Sequence, residues 1–296
     1  MHDPHDLQTR FILPAAGVRG VCVRLQDTWR DVLAHAHYPD NARNLLGQSC
    51  AAAALFTGHA KVNGRLSLQL RTRHALRTLF AECTAQGTLR GIAQLADGQD
   101  APLDLTRLGA DSLLAITIEN PGLDPREPQR YQSLVALQSA TLSAALEDYF
   151  QQSEQLPTRL LLAADGTRAA GLMLQKLPGD EGDSDGWALA GALFDTLGVE
   201  ELLAAPSRTL LHRLFHQQAL EILDERPLRF ACSCSRARVT DMLCSLGLAE
   251  ARAAAATGEA EIHCEFCGQR YSFSLEEIEE LFVAGPLEVA APGRLQ

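Results

Sequence analysis

Four cysteines near the end of the chain carry the clearest chemistry in the sequence. Cys232-Ser233-Cys234 is followed, after residues 235–263, by Cys264-Glu265-Phe266-Cys267. Thiolates are soft donors, and two closely spaced pairs separated by a spacer are the usual supply for a tetrahedral Zn²⁺ site. Cys264 to Gly268 fits a knuckle turn, in which backbone amides point at the sulfurs and the glycine after the second cysteine accepts a left-handed backbone. Cys232-Ser233-Cys234 is tighter, because one intervening residue needs a local bend to bring both sulfurs to adjacent corners. Four protein ligands leave no coordination position for a catalytic water, so metal-assisted hydrolysis is disfavoured. Such a centre folds a small domain, or acts as a redox trigger because its sulfurs stay thiolate in character. Both roles are open on spacing alone. Four thiolates and one divalent cation leave a net charge of −2, and Arg236, Arg238 and Arg270 stand close in sequence to offset it.

The remaining candidates weigh less. Cys22, Cys50 and Cys83 lie singly in apolar or helical text and read as core filler, and Cys244 reads as a packed helical residue. His212 and His216 are four apart, but Arg213 stands where a zinc protease would carry its catalytic Glu. The sequence contains no G-x-G-x-x-G, no G-x-x-x-x-G-K-[ST] and no G-x-S-x-G, so nucleotide and α/β-hydrolase chemistry has no anchor.

The chain has 296 residues, 46% hydrophobic, enough for about two domains without disulfide staples. Its 37 acidic against 26 basic residues give a net charge of −11, which argues against a phosphate-backbone binder. A polar start at Met1–Arg10 lacks the pattern of a signal peptide, and apolar runs such as Cys50–Phe56 are too short to span a membrane. The expectation is a cytoplasmic protein with no membrane or nucleic-acid partner, whose eight cysteines are ligands, reactive thiols or core residues.

Around the cysteines the pattern predicts an α+β fold with three parts. Residues 1–178 form a mixed sheet-and-helix domain. Period-two text at Val21, Val23 and Leu25 predicts a strand buried on one face, and Asn41–Thr57 predicts a helix. Asn63-Gly64 reads as the tight turn of a hairpin leading into Leu66, Leu68 and Leu70. Further strands are expected at Leu76–Glu82, Thr88–Ala93 and Leu113–Glu119, a helix over Ser139–Phe150, and a hairpin of Thr158–Ala164 and Ala169–Leu177 about Asp165-Gly166. Residues 179–227 open with an acidic break, Asp180, Glu181, Gly182, Asp183, Ser184, Asp185 and Gly186, and continue as short helices that need neighbours to be stable. Residues 228–296 hold the cysteines and end in a helix capped by Ser274 and Glu277 and stopped by Gly285-Pro286. Beyond Pro292 a frayed tail is expected.

Phe230-Ala231-Cys232-Ser233-Cys234-Ser235-Arg236 and Cys264-Glu265-Phe266-Cys267-Gly268, leading to Tyr271 and Phe273, resemble the heat shock protein 33 family of redox-regulated bacterial holdase chaperones. The resemblance continues upstream through Val18-Arg19-Gly20, Thr28-Trp29, Tyr38-Pro39, Leu45-Leu46-Gly47, Leu89-Arg90-Gly91, Tyr149-Phe150 and Gly171-Leu172-Met173-Leu174-Gln175. It implies a reduced monomer with one Zn²⁺ on Cys232, Cys234, Cys264 and Cys267, and no enzymatic activity. On oxidation it implies a Cys264–Cys267 disulfide with zinc release, unfolding of the 179–227 linker, a Cys232–Cys234 disulfide, and a homodimer that holds unfolded or partly unfolded client proteins without ATP. Ala170, Gln48 and the Arg71–Ala75 turn depart from the family pattern and bear on loops and dimer geometry of the first domain. The competing reading is a zinc-ribbon RNA- or protein-binding module with a purely structural zinc; a thiol-disulfide oxidoreductase lacks the Cys-x-x-Cys at a helix start near a βαβ pattern.

Overall fold

The computed structural model describes residues 5–283 except 61, 110, 123, 125, 126, 180, 181, 183, 184 and 257. Most of the acidic break, the Gly285-Pro286 stop and the tail beyond Pro292 lie outside the described residues. The fold is α+β, in two compact units, Met1–Ala231 and Cys232–Gln296.

The first unit begins with strands β1 (Leu7–Leu13) and β2 (Val18–Leu25), then helices α1 (Asp27–Leu33) and α2 (Asp40–His59). Strands β3 (Arg65–Arg71), β4 (Leu76–Thr84), β5 (Thr88–Leu95), β6 (Leu113–Asn120) and β7 (Gln129–Val135) follow, and then helix α3 (Leu142–Tyr149). A hairpin of β8 (Thr158–Ala164) and β9 (Ala169–Lys176) leads to three short helices, α4 (Gly186–Phe194), α5 (Val199–Ala204) and α6 (Ser207–Phe215). Strands β10 (Glu221–Pro227) and β11 (Arg229–Phe230) close the unit. One sheet runs β10-β1-β2-β9-β8 and a second runs β11-β5-β4-β3-β6-β7.

Helix α2 packs between the two sheets. Its run Ser49 to Gly58 is buried throughout, and Ala51 to Ala54 give it a narrow waist that lets both sheets approach. Asp100 caps its start, accepting from the amides of Asn41 (3.1 Å) and Ala42 (2.9 Å). Gly47 is required by this packing, since a Cβ there would lie 2.5 Å from that of Ala164.

Strand β2 departs from the expected one-sided burial. Val21, Val23 and Leu25 enter the core around α2, while Val18 and Cys22 enter a second core with Phe11, Leu172 and Leu174 beneath α4 to α6. Both faces are covered because residues 186–215 fold back on this sheet, and Leu210, Leu211 and Phe215 are sealed against it. Residues 179–227, expected to continue as short helices, end instead in a strand: β10 pairs antiparallel with β1, from Leu7 opposite Pro227 to Ile12 opposite Glu221. Asn63-Gly64 joins α2 to β3 rather than two strands, its amides held by Asn120 Oδ1 at 2.8 and 3.1 Å. The β3–β4 hairpin turns instead between Arg71 and Leu76. The predicted Ser139–Phe150 helix starts later, at Leu142 behind a Thr141 cap, and runs on as a π turn over Phe150–Glu154.

The second unit holds α7 (Arg236–Leu246), α8 (Leu248–Ala254), the hairpin β12 (Glu259–His263) and β13 (Arg270–Ser274), and α9 (Leu275–Val283). Its core is small, formed by Leu243, Ala251, Ala255, Ala260, Phe273 and Ile278. The start of α9 carries the predicted capping box: the Glu277 amide donates to Ser274 Oγ (3.1 Å) and the Ser274 amide to Glu277 Oε2 (2.9 Å).

Candidate metal centre

Two loops of the second unit deliver the thiols. Cys232 and Cys234 precede α7, whose N-cap is Ser235, its Oγ accepting from the Arg238 amide at 3.2 Å. Arg238 turns back and donates to Ser233 O (2.9 Å) and Ser233 Oγ (2.7 Å), fixing the residue between the two cysteines. That contact supplies the bend the short Cys-x-Cys spacing requires. Cys264 and Cys267 sit on the β12–β13 connection. There the Gly268 amide donates to Cys264 O (2.8 Å), the Cys264 amide to Gln269 O (2.9 Å), and Gly268 adopts φ 66°. This is the left-handed glycine of the knuckle turn.

All four Sγ atoms lie within 4.8 Å of one another, with Cys232 to Cys264 at 3.6 Å and Cys234 to Cys267 at 3.4 Å. Zn–S bonds of about 2.3 Å at tetrahedral angles place sulfurs about 3.8 Å apart. The donor set therefore fits one soft divalent cation with all positions filled by protein. All eight cysteines are free thiols.

Electrostatics within the cluster favour a cation. Burial pushes the Cys234 thiol up, but hydrogen bonds from Tyr271 and then from the other thiols prevail and hold it below the ordinary thiol range. Burial and neighbouring thiols raise Cys232 and Cys267, since several thiolates cannot form side by side without a positive charge. Tyr271 Oη donates to Cys234 Sγ at 3.1 Å and is itself pushed up to about 12 by that bond, so it remains a donor. The sequence placed Tyr271 in the family motif without assigning it this contact. Arg236 does not serve as the expected counter-charge: it pairs with Glu277 (2.7 Å), donates to Ser272 O (2.9 Å) and stacks over Phe273 at 4.1 Å.

Elsewhere, Cys22, Cys50 and Cys83 are buried, and burial pushes Cys22 up to about 11, Cys83 up to about 12 and Cys50 higher still. They are inert core residues. Cys244, expected to be packed, is exposed on α7, because the apolar face of that helix falls at Val239 and Leu243. His212 of α6 and His216, which caps the end of that helix, have ring centroids 6.2 Å apart and belong to no metal-type cluster among the described residues. No helix among the described residues is long and apolar enough to cross a membrane.

The chain is similar to known proteins over nearly its whole length. The family described as "Hsp33 protein" matches residues 6–274. The 33 kDa chaperonin of Ectopseudomonas mendocina (strain ymp) is 42% identical over 298 residues, 98% of this chain and 99% of the relative. That of Azotobacter vinelandii is 42% identical over 288 residues, 95% of each chain. The crystal structure of the 33 kDa chaperonin from Thermotoga maritima superposes with a TM-score of 0.75 over 95% of this chain and 98% of that one, at 22% identity, and so speaks to the fold. At such identity over nearly the full length of its relatives, the chain belongs to the Hsp33 family, whose members are chaperones and not enzymes.

Proposed function

We propose that this chain is a cytoplasmic, ATP-independent holdase, kept inactive as a reduced monomer with one Zn²⁺ on Cys232, Cys234, Cys264 and Cys267, and activated by oxidation of those thiols. The observation that carries this reading is the convergence of four free thiols from two separate loops within 4.8 Å. When bound, zinc supplies the charge that keeps all four sulfurs thiolate and ties the two loops together. Cys264 and Cys267 form the first redox pair. One thiolate attacks a peroxide oxygen and breaks the O–O bond, keeping that oxygen as a sulfenic acid while the other leaves as hydroxide and takes a proton from solvent to become water. The second thiolate then attacks the sulfenic sulfur and expels its oxygen as hydroxide, which a second solvent proton converts to water, so the pair loses two electrons and peroxide gains them. A disulfide is a poor ligand, so Cys232 and Cys234 are left as an incomplete donor set and close the second disulfide by the same chemistry.

Residues 179–227 are the proposed responder. Helices α4, α5 and α6 have nine, six and nine residues, too short to persist in water without the sheet beneath them. Their release would uncover Phe11, Leu13, Val18, Leu172 and Leu174, a contiguous apolar face for unfolded clients and for a second copy of the chain. The net charge of −11 favours protein over nucleic acid as partner. The test is a zinc-release titration with thiol counting on reduced and peroxide-treated protein, read beside suppression of client aggregation. The expected result is one zinc retained when reduced, zinc loss with four thiols consumed on oxidation, and holdase activity only in the oxidised form. Zinc held through oxidation, or equal activity in both states, would overturn it.

A further inference from the structure

A cavity of about 300 Å³ opens in the first unit between the end of α2, the π turn after α3 and strands of both sheets. It has a polar end. Arg19 of β2 donates to Gln175 Oε1 at 2.5 and 3.2 Å and lies 3.2 Å from His59 Nε2. Gln175 is fully buried and is fixed by its own donation to Thr158 Oγ1 at 3.0 Å. Arginine has no acceptor, so His59 Nε2 takes the guanidinium hydrogen and the imidazole proton sits on Nδ1. Both partners of Arg19 are thus neutral, and among the described residues neither Arg19 nor nearby Arg10 has an ion pair.

The rest of the cavity is apolar, with an aromatic corner. Phe150 meets Phe56 edge-on at 5.2 Å, His59 at 5.9 Å and Tyr149 at 5.4 Å. This corner is held by the π turn Phe150–Glu154, which ends at Gln155 with φ 54°, the one non-glycine residue with positive φ among the described residues. Such turns and left-handed non-glycine residues cost energy and concentrate where a site must be shaped. Glu154 is the single carboxylate in the lining; it accepts from Tyr149 Oη at 3.4 Å and not from Arg19, and its charge disfavours a ligand with more than one negative charge.

We propose that this cavity is a small-molecule site for a monocarboxylate with a ring-bearing apolar tail, its carboxylate paired with Arg19 and its ring seated against Phe56 and Phe150. The volume sits at the lower edge of the range, about 300 to 1,000 Å³, in which small-ligand sites fall, and the pattern of apolar walls with a few convergent polar groups is theirs as well. Burial and Arg10 disfavour the Arg19 cation, an imbalance an arriving anion offsets. Nothing in the site involves the cysteines.

The test uses 3-phenylpropionate as probe on the full-length reduced protein, followed by calorimetry and by ligand-observed NMR. The neutral analogue 3-phenylpropanol serves as comparator. Saturable binding of the acid is expected, with the alcohol at least about 10-fold weaker because it forfeits the charge-assisted pair. Arg19→Gln should erase the preference for the acid, and Ala60→Phe, which fills the cavity and leaves Arg19 in place, should abolish binding of both. Equal affinity of the intact protein for acid and alcohol, no saturation of the acid up to about 10 mM, or acid binding indifferent to both variants would overturn the assignment. The acid-to-alcohol comparison on the unmodified chain decides the matter even if a variant fails to fold.

Discussion

Residues 1–231 and 232–296 reach a folded state by different means. In the first, α2 is buried between two sheets and a continuous core runs from Val21 to Leu228. In the second, the sealed core is Leu243, Ala251, Ala255, Ala260, Phe273 and Ile278, three of them alanines that bury little area. A unit of this size rarely stands on its apolar core alone, and the four-thiol cluster is what remains to hold its two loops. The difference bears on the proposed switch: a unit whose fold rested on one group would be unfolded by chemistry at that group, while the larger unit beside it in sequence would stay intact. Stripping the metal from reduced protein with a strong chelator sets the two against each other most sharply. The cost to the second unit is on the order of 10 kcal/mol, the scale of structural zinc sites. Amide NMR should show residues 232–283 collapsing to unfolded dispersion while residues of α2 and its two sheets keep their shifts. A second unit that keeps its dispersion without metal would show its core to be sufficient.

The same contrast recurs within the first unit, between the two faces of the β10-β1-β2-β9-β8 sheet. One face is covered by the long helix α2 and the other by the short helices α4 to α6. Leu55 on α2 and Leu211 on α6 are both fully buried, so truncating either to alanine removes the same side chain at a cost of about 2–5 kcal/mol. Leu55→Ala should lower the denaturant midpoint of the whole unit. Leu211→Ala should instead speed hydrogen exchange over residues 186–227, with the midpoint of the rest unchanged. Equal shifts of one cooperative transition would make the two faces a single unit and remove the basis for a detachable linker.

Titration separates the units as well. Burial, then Arg19 and Arg10, depress His59 from 6.5 to about 3, so the folded first unit refuses a proton that the unfolded chain accepts between those values. Stability from this group is complete above pH 6.5 and falls as the pH drops towards 3, by at most about 1.4 kcal/mol per pH unit, or about 2 kcal/mol at pH 5. Urea unfolding of His59→Gln at pH 7 and pH 5 should show a smaller loss than the unmodified protein by about that amount. An unchanged pH dependence would mean that His59 is protonated in the folded state.

The legible parts of the sequence were those specified locally. The Ala-rich run of α2, the β8–β9 hairpin about Asp165-Gly166, the Ser274–Glu277 box and the cysteine spacing each show their form within a few residues. What escaped is specified by a distant partner. Strand β10 reads Glu-Ile-Leu-Asp-Glu-Arg-Pro, with no period-two signal, and is a strand because β1 offers it an edge. Strand β7 is an exposed edge strand with little alternation to betray it, and α8 is too short to announce itself. Cys244 could not be placed without knowing that the face of α7 carrying Val239 and Leu243 is the one turned to the core. Arg19, His59 and Gln175 come from β2, α2 and β9, so no local pattern joins them.

Tyr271 is the smallest of these differences in energy and bears most directly on the centre. Its hydroxyl reaches Cys234 Sγ at 3.1 Å from β13, whereas none of the other three thiols has a phenol donor among the described contacts. A hydrogen bond to a ligating sulfur withdraws charge from it and orients it, and loss of such outer contacts costs about 10- to 100-fold in metal affinity. Tyr271→Phe keeps the ring and removes only the donor. Competition against a chromophoric chelator should show zinc bound about tenfold more weakly, close to 1.4 kcal/mol, with the NMR fingerprint of the metal-loaded second unit retained. Peroxide should then release zinc faster, since a sulfur without its donor is both a better nucleophile and a less firmly placed ligand. Unchanged affinity together with an unchanged release rate would mean that Cys234 is positioned by its loop alone, and that the Arg238 clamp on Ser233 governs this half of the cluster.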